Sequence, residues 1–468
     1  MPVQLDTVMK GGTVILPDGE YSLDIGVKDG RITLLEADID PLLAEKVMDC
    51  AGKVLMPGAV DIHVHFNEPG LGSWEGFATG SAALAAGGCT TYVDMPLNGV
   101  PPTVDVEAFE VKRSLAESDS RIDFALWGGL VPGNRGKLAG LYQAGVPGFK
   151  AFMSEPGGEG EDIFARADDM TLLAGMQEIA RLGGMLALHA ESDTITSLLS
   201  QEMRQAPGDP IRNYLASRPV AAEVEAVGRA LAYARITGCR LHFVHISSRE
   251  ALELIRDAKA RGMAVTSESC PHYLCLNEED AVLLGAAAKC APPIRSEEEQ
   301  ARLWEALQLG LIDVIASDHS PCPPEMKKTE HYFDIWGGIS GAQSTMLLML
   351  EEGYRKRGIA LHRLAAVLSA NPAVITGLDY CKGSIAVGKD ADIAVIDMTK
   401  SYRLTAEELL YRHTQSPYLG RSFSCSISAV FCRGERVYTS ETGVIPGAAG
   451  RYIPSRLSQE QVRGDVYV

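Results

Sequence analysis

The chain has 468 residues, 46% of them hydrophobic, and a formal net charge of -18. That length and apolar content provide for one large core with a smaller unit appended, while the acidic balance disfavours nucleic acid or an anionic membrane surface as the main partner. The first ten residues lack the charged-then-apolar pattern of a signal peptide, and no apolar run reaches the ~20 residues that span a bilayer, so a cytoplasmic protein without membrane association is expected.

From about residue 7 to 53 the chain reads as short strands cut by turn signals: Gly11-Gly12, Pro17-Asp18-Gly19 and Lys28-Asp29-Gly30-Arg31. Such strands need others to pair with. The same texture returns at Gly383 to Asp397 and in the hairpin-like run from Ala429 to Tyr438. The expectation is a small β-sandwich built from both chain ends, residues 1–56 and 377–468, the latter with a C-terminal extension.

The middle, residues 57–376, alternates differently. Apolar, β-branched strand candidates at 58–65, 90–95, 124–128, 148–152, 185–190, 241–246, 264–269 and 313–318 are separated by helical stretches rich in Ala, Leu, Glu and Arg. This α/β pattern predicts a (β/α)8 TIM-like barrel. A doubly wound sheet would also alternate, but no G-x-G-x-x-G follows the first strand. The ten cysteines are scattered, with no C-x-x-C pair, and are expected as buried, reduced thiols.

The first strand ends in Asp61-Ile62-His63-Val64-His65, and residues two apart in a strand face the same way, so His63 and His65 project together. Later strand ends add His189, His245 and Asp318, giving nitrogen and oxygen ligands for a hard or borderline divalent metal. Lys150, in the fourth strand, is the odd member, because a buried ammonium repels a metal. Carbamylation by carbon dioxide would convert it into an anionic bridge between two ions; a salt bridge to a buried acid is the alternative. His242 is expected to face away from His245, against helices, and His272 and His319 to lie near the site.

These residues, together with Trp74-Glu75-Gly76-Phe77, Asp94-Met95-Pro96-Leu97-Asn98, Cys270-Pro271-His272-Tyr273-Leu274, Pro292-Pro293-Ile294-Arg295 and Ala316-Ser317-Asp318-His319-Ser320, carry a full-length resemblance. The chain resembles the cyclic amidohydrolases of the metal-dependent amidohydrolase superfamily, and within them the allantoinase branch. The resemblance implies two divalent ions, zinc by default with manganese, cobalt or iron as alternatives. His63, His65 and Asp318 would hold one ion and His189 and His245 the other, with carbamylated Lys150 (N6-carboxylysine) between them. It implies hydrolysis of a cyclic amide in which Asp318 is the catalytic proton carrier, and a homotetramer.

The expected partner is a small cyclic ureide, allantoin, contacted by Asn67, Asn98, Cys290 and Gly338. Related dihydroorotases place an arginine where this chain has Asn67, and an asparagine suits a neutral polar group better than a carboxylate. Many allantoinases have an arginine where Leu71 stands here. A hydantoinase or dihydropyrimidinase acting on 5-substituted hydantoins is the alternative, and a non-catalytic scaffold relative the third reading.

Overall fold

The computed structural model describes residues 4–157, 164–329, 331–447 and 449–459. Residues 1–3 and 460–468 of the expected terminal unit lie outside these. Eight parallel strands run through the middle of the chain: β1 (Ala59–Val64), β2 (Cys89–Asp94), β3 (Asp123–Leu126), β4 (Phe149–Phe152), β5 (Met185–His189), β6 (Arg240–Phe243), β7 (Val265–Ser269) and β8 (Val314–Ile315). All eight stretches expected as strands form strands. β1 to β3 pair in order in one sheet. β4 to β8 pair in order in another, which continues from β4 to Gly128–Gly129, directly after β3. Beyond β8, a parallel bridge joins Val64 to His319. β1 to β5 are buried at every position, the expected state of parallel strands covered on both faces.

Helices follow the strands and begin where the sequence supplies caps. Asp105, Asp168, Ser248 and Ser296 each accept the backbone N–H of the third helical residue in Val106–Asp119, Asp169–Arg181, Arg249–Ala260 and Glu297–Gln308. The helix Arg249–Ala260 buries Ala251, Leu252, Ile255 and Ala258, one face at helical spacing.

Both chain ends meet in one nine-stranded sheet. Its long first strand, Leu5–Leu16, pairs with Gly19–Lys28 along one side and divides the other between Ala44–Asp49 and Val54–Pro57. The division falls at a bulge between Met9 and Gly12, where a side chain at Gly12 would put its Cβ 2.0 Å from Leu55. Val54–Pro57 then pairs with Ile393–Asp397, so the two ends close on each other. Two stretches of the C-terminal part leave this sheet. Residues 411–418 reach back to the strand-end loops, where Arg412 donates to Glu75 O, Gln415 to Cys322 O and Ser416 to Ser340 O. Tyr452 bridges to Phe124.

A buried ionic cluster ties the sheet to the parallel strands. Lys382 reaches Asp123 of β3 at 2.5 Å, Asp392 at 2.8 Å and Asp390 at 3.0 Å, and Arg433 also pairs with Asp123. Removing the ammonium strands buried carboxylates, so Lys382→Met is expected to destabilise the fold by about 3–5 kcal/mol. Denaturant unfolding measures this; a loss under about 1 kcal/mol would mean that the cluster contributes no more than an exposed pair.

Candidate metal centre and active site

The C-terminal ends of β1, β4, β5, β6 and β8 converge, and they bring the expected ligands together. The His63 and His65 rings lie 5.4 Å apart, His63 and His245 5.4 Å apart, and His189 and His245 4.6 Å apart. Asp318 Oδ1 stands 3.3 Å from Nε2 of both His63 and His65. Nδ1 of His189 and Nε2 of His245 are 3.0 Å apart. His63, His245 and Asp318 offer ligand atoms within 4.8 Å of one another. His245 (φ 41°) and Asp318 (φ 45°) both hold left-handed backbone, a strained conformation that clusters at functional sites.

Lys150 is fully buried, and its Nζ has no hydrogen-bond partner. The salt-bridge alternative therefore gains no support. Burial draws this amine down to about 8, towards the neutral form that attacks carbon dioxide. An orphaned buried amine among four imidazoles and a carboxylate is costly as it stands. It fits a site completed by added carboxylate and metal. Burial alone would raise Asp318, but His63, His65 and His245 outweigh it and hold the carboxyl well below its usual range. Burial brings His65 down to about 4, keeping its imidazole neutral and able to ligate.

Several residues that orient these ligands were not anticipated. Glu268 Oε1 accepts from His63 Nδ1 at 2.6 Å, which leaves Nε2 facing the cluster. Burial would raise Glu268, but His63 and His242 hold it at about 2. Glu191 accepts from His189 Nε2 at 2.8 Å and is itself paired with Arg218 at 2.5 Å, leaving Nδ1 of His189 free to ligate. Asp61 accepts from the backbone of His63 and of Ser317, fastening β1 to the stretch that carries Asp318. A carboxylate one residue before the C-terminal end of Val265–Ser269, a strand that supplied no ligand, was the available signal for Glu268. Glu268→Gln is expected to weaken divalent-metal binding about 10- to 100-fold, as read by metal titration; unchanged affinity would mean that the carboxylate does not orient His63.

His242 does not pack against helices as expected. Its Nε2 lies 3.3 Å from Glu268 and its Nδ1 2.8 Å from Thr266. β6 ends at Phe243 and His245 has positive φ, so the strand alternation used to set the two histidines apart does not extend that far. His319 is turned from the cluster, with Nδ1 accepting from Gly341 N. Both ring nitrogens of buried His272 lack partners, and its ring lies within ligand reach of Asp318 and Cys270.

A cavity of about 860 Å³ opens over the cluster, lined by His63, His65, His189, His245 and Asp318. Asn98, Cys290 and Gly338 are on its wall, and so is Leu71. Asn67 is not among the lining residues. It is buried, holds a left-handed backbone (φ 65°), and donates its side-chain amide to Pro321 O at 3.4 Å. The expectation rested on its position two residues after His65; its side-chain Oδ1 is buried without a hydrogen-bond partner. Gly338 must be glycine, because a Cβ would meet the Ser320 carbonyl oxygen at 2.1 Å.

Comparison with known proteins bears on this geometry. The model of the Amidohydrolase family matches residues 54–437. A protein of Rubrobacter xylanophilus named allantoinase is 48% identical over 97% of this chain and 99% of its own length. A Bacillus velezensis protein of the same name is 46% identical over 97% and 99%. Among solved structures, L-hydantoinase (dihydropyrimidinase) from Arthrobacter aurescens superposes with a TM-score of 0.92 at 35% identity, covering 96% of this chain and all of that one. Dihydropyrimidinase from Brevibacillus agri gives 0.88 at 28% identity over 96% and 98%. With the family model spanning all the converging strand ends, the chain belongs to the amidohydrolase family.

Proposed function

We propose that this chain is a cyclic amidohydrolase that opens the hydantoin ring of allantoin to give allantoate. The observation that carries the chemistry is the buried Lys150 amine, without a hydrogen-bond partner, among His65, His189, His245 and Asp318. The choice of ring is supported by relatives named allantoinase at 39–48% identity over nearly the whole chain, against 35% for the structural neighbour named L-hydantoinase.

His63, His65 and Asp318 would hold one divalent ion and His189 and His245 a second, with carbamylated Lys150 between them; zinc is the default for this donor set. Such ions supply a water of lowered pKa and polarise a carbonyl. Asp318, kept ionised by the neighbouring imidazoles, accepts the proton of the attacking water as its oxygen bonds to the amide carbon. It then returns that proton to the ring nitrogen as the carbon–nitrogen bond breaks, leaving a carboxylate and a ureido group. Asn98, Cys290 and Gly338, which line the cavity, would hold the ring.

The two parallel sheets are taken to close into one (β/α)8 barrel, a reading supported by the bridge from Val64 to His319. The barrel would span residues 57–376, with a β-sandwich of residues 1–56 and 377–468 beside it. No helix among the described residues is long and apolar enough to cross a membrane. All ten cysteines are free and buried, which suits a reducing cytoplasm. The family resemblance favours a homotetramer, to be checked by light scattering.

The deciding experiment is hydrolysis of allantoin, unsubstituted hydantoin, dihydrouracil and dihydroorotate by metal-replete protein with bicarbonate present. Turnover of allantoin well above the others is the expected result. Preference for hydantoin or dihydrouracil would move the assignment to the hydantoinases, and silence on all four rings would overturn the enzymatic reading.

A further inference from the structure

Two lysines beside the cavity, Lys289 buried and Lys327 half-buried, have no part in the chemistry above. Lys289 donates from Nζ to the carbonyls of Tyr332, Phe333 and Ile335 at 2.7, 2.9 and 2.6 Å, and lies over the Tyr214 ring at 4.6 Å. Lys327 donates to the carbonyls of Trp336 and Gly338, both at 2.8 Å. Every one of these acceptors is a main-chain carbonyl. Burial brings Lys289 down to about 7 and Lys327 to about 8, the mark of cations held without compensating charge.

The backbone returns the contact. Gly338 N–H donates to Lys289 O at 2.8 Å and Trp336 N–H to Met326 O at 3.0 Å. Residues 332–338 are thus gripped from both sides by side chain and main chain. The gripped segment lines the cavity through Phe333, Ile335, Trp336 and Gly338. Trp336 meets Trp74 edge-on at 4.9 Å, and its buried indole nitrogen has no partner. A ring whose amide reaches Asp318 must direct its remaining bulk into the rest of this cavity.

We propose that Lys289 and Lys327 form a paired clasp that positions residues 332–338 as a wall of the substrate cavity and so sets the fit of the substituent carried by the ring. They are positioning residues, acting through Trp336 and Gly338. A single lysine could anchor one end of the segment; two of them, at its beginning and its end, fix its whole course. The inference rests on the cyclic-ureide reading for its substrate, but not for the clasp itself.

The test takes Lys289→Met and Lys327→Met separately, so that misfolding of one variant leaves the other to decide. Hydrogen exchange on unliganded protein should show protection of residues 332–338 falling about tenfold or more, with β1 to β8 unchanged. With allantoin, KM should rise about tenfold while kcat changes less than about threefold; with unsubstituted hydantoin, which has no substituent to fit, KM should move less than about threefold. Unchanged protection in both variants overturns the clasp. So does an equal change in KM for the two rings, which a general loss of structure would produce. If the exchange effect appears but wild-type protein turns over neither ring, the clasp stands and the proposed reaction fails.

Discussion

Lys150→Ala is expected to lower kcat for allantoin about a thousandfold or more, because it removes the group that would join the two halves of the site. The amine is fully buried with no hydrogen-bond partner, and the other ligand atoms gathered there belong to imidazoles, the Asp318 carboxylate and the Cys270 thiol. Bound metal should fall with activity, as measured by elemental analysis, because one anionic ligand shared by two ions contributes to the affinity of both. Protein prepared with 13C-labelled bicarbonate should show a carbamate resonance that the variant lacks. Full metal content and more than a tenth of the wild-type rate would remove Lys150 from the mechanism. A variant that is inactive but keeps the resonance would place the carbamate elsewhere.

The second large effect concerns Asp318. Asp318→Asn keeps the shape of the side chain and removes its charge and its capacity to carry a proton. The expected loss in kcat is again about a thousandfold or more, with KM changing far less, since the proton is moved in the transition state and not on binding. His63 and His65 stand 3.3 Å from the same carboxylate oxygen, so metal affinity should weaken as well. Rates measured at saturating metal separate the two contributions. If activity then returns to within tenfold of wild type, Asp318 is a ligand only and the proton is carried by another group. His272, with both ring nitrogens unpartnered near Asp318, would be the first candidate.

These two variants and the Glu268→Gln prediction differ in how readily the sequence pointed to them. His63, His65, Lys150, His189, His245 and Asp318 were legible because each stands in or at the end of an apolar, β-branched run. Parallel strands joined by helices bring all their C-terminal ends to one side, so local pattern alone implies that such residues meet. Their partners were not legible in this way. Glu268 lies 205 residues from His63, and Arg433 and Lys382 reach Asp123 from the far end of the chain. No periodicity relates positions that distant.

Asn67 was read from its spacing to His65 alone; its left-handed backbone and the hydrogen bond from its amide to Pro321 O are features that spacing does not carry. Spacing misplaced His242, since strand parity holds only while the strand lasts and β6 stops at Phe243. Nothing in the local sequence marks Lys289 or Lys327; only the hydrogen bonds of their ammonium groups to the carbonyls of residues 332–338 give them a role.

The sequence by itself determined the alternation of strands and helices, the pairing of the two chain ends, and the ligand types at the strand ends, because hydrophobic period and side-chain chemistry are local properties. The tertiary structure decided which nitrogen of His63 and of His189 faces the centre, which polar residues reach the cavity, and which cations hold its wall. Those outcomes depend on burial and on contacts between distant segments, and they exist only once the chain has folded.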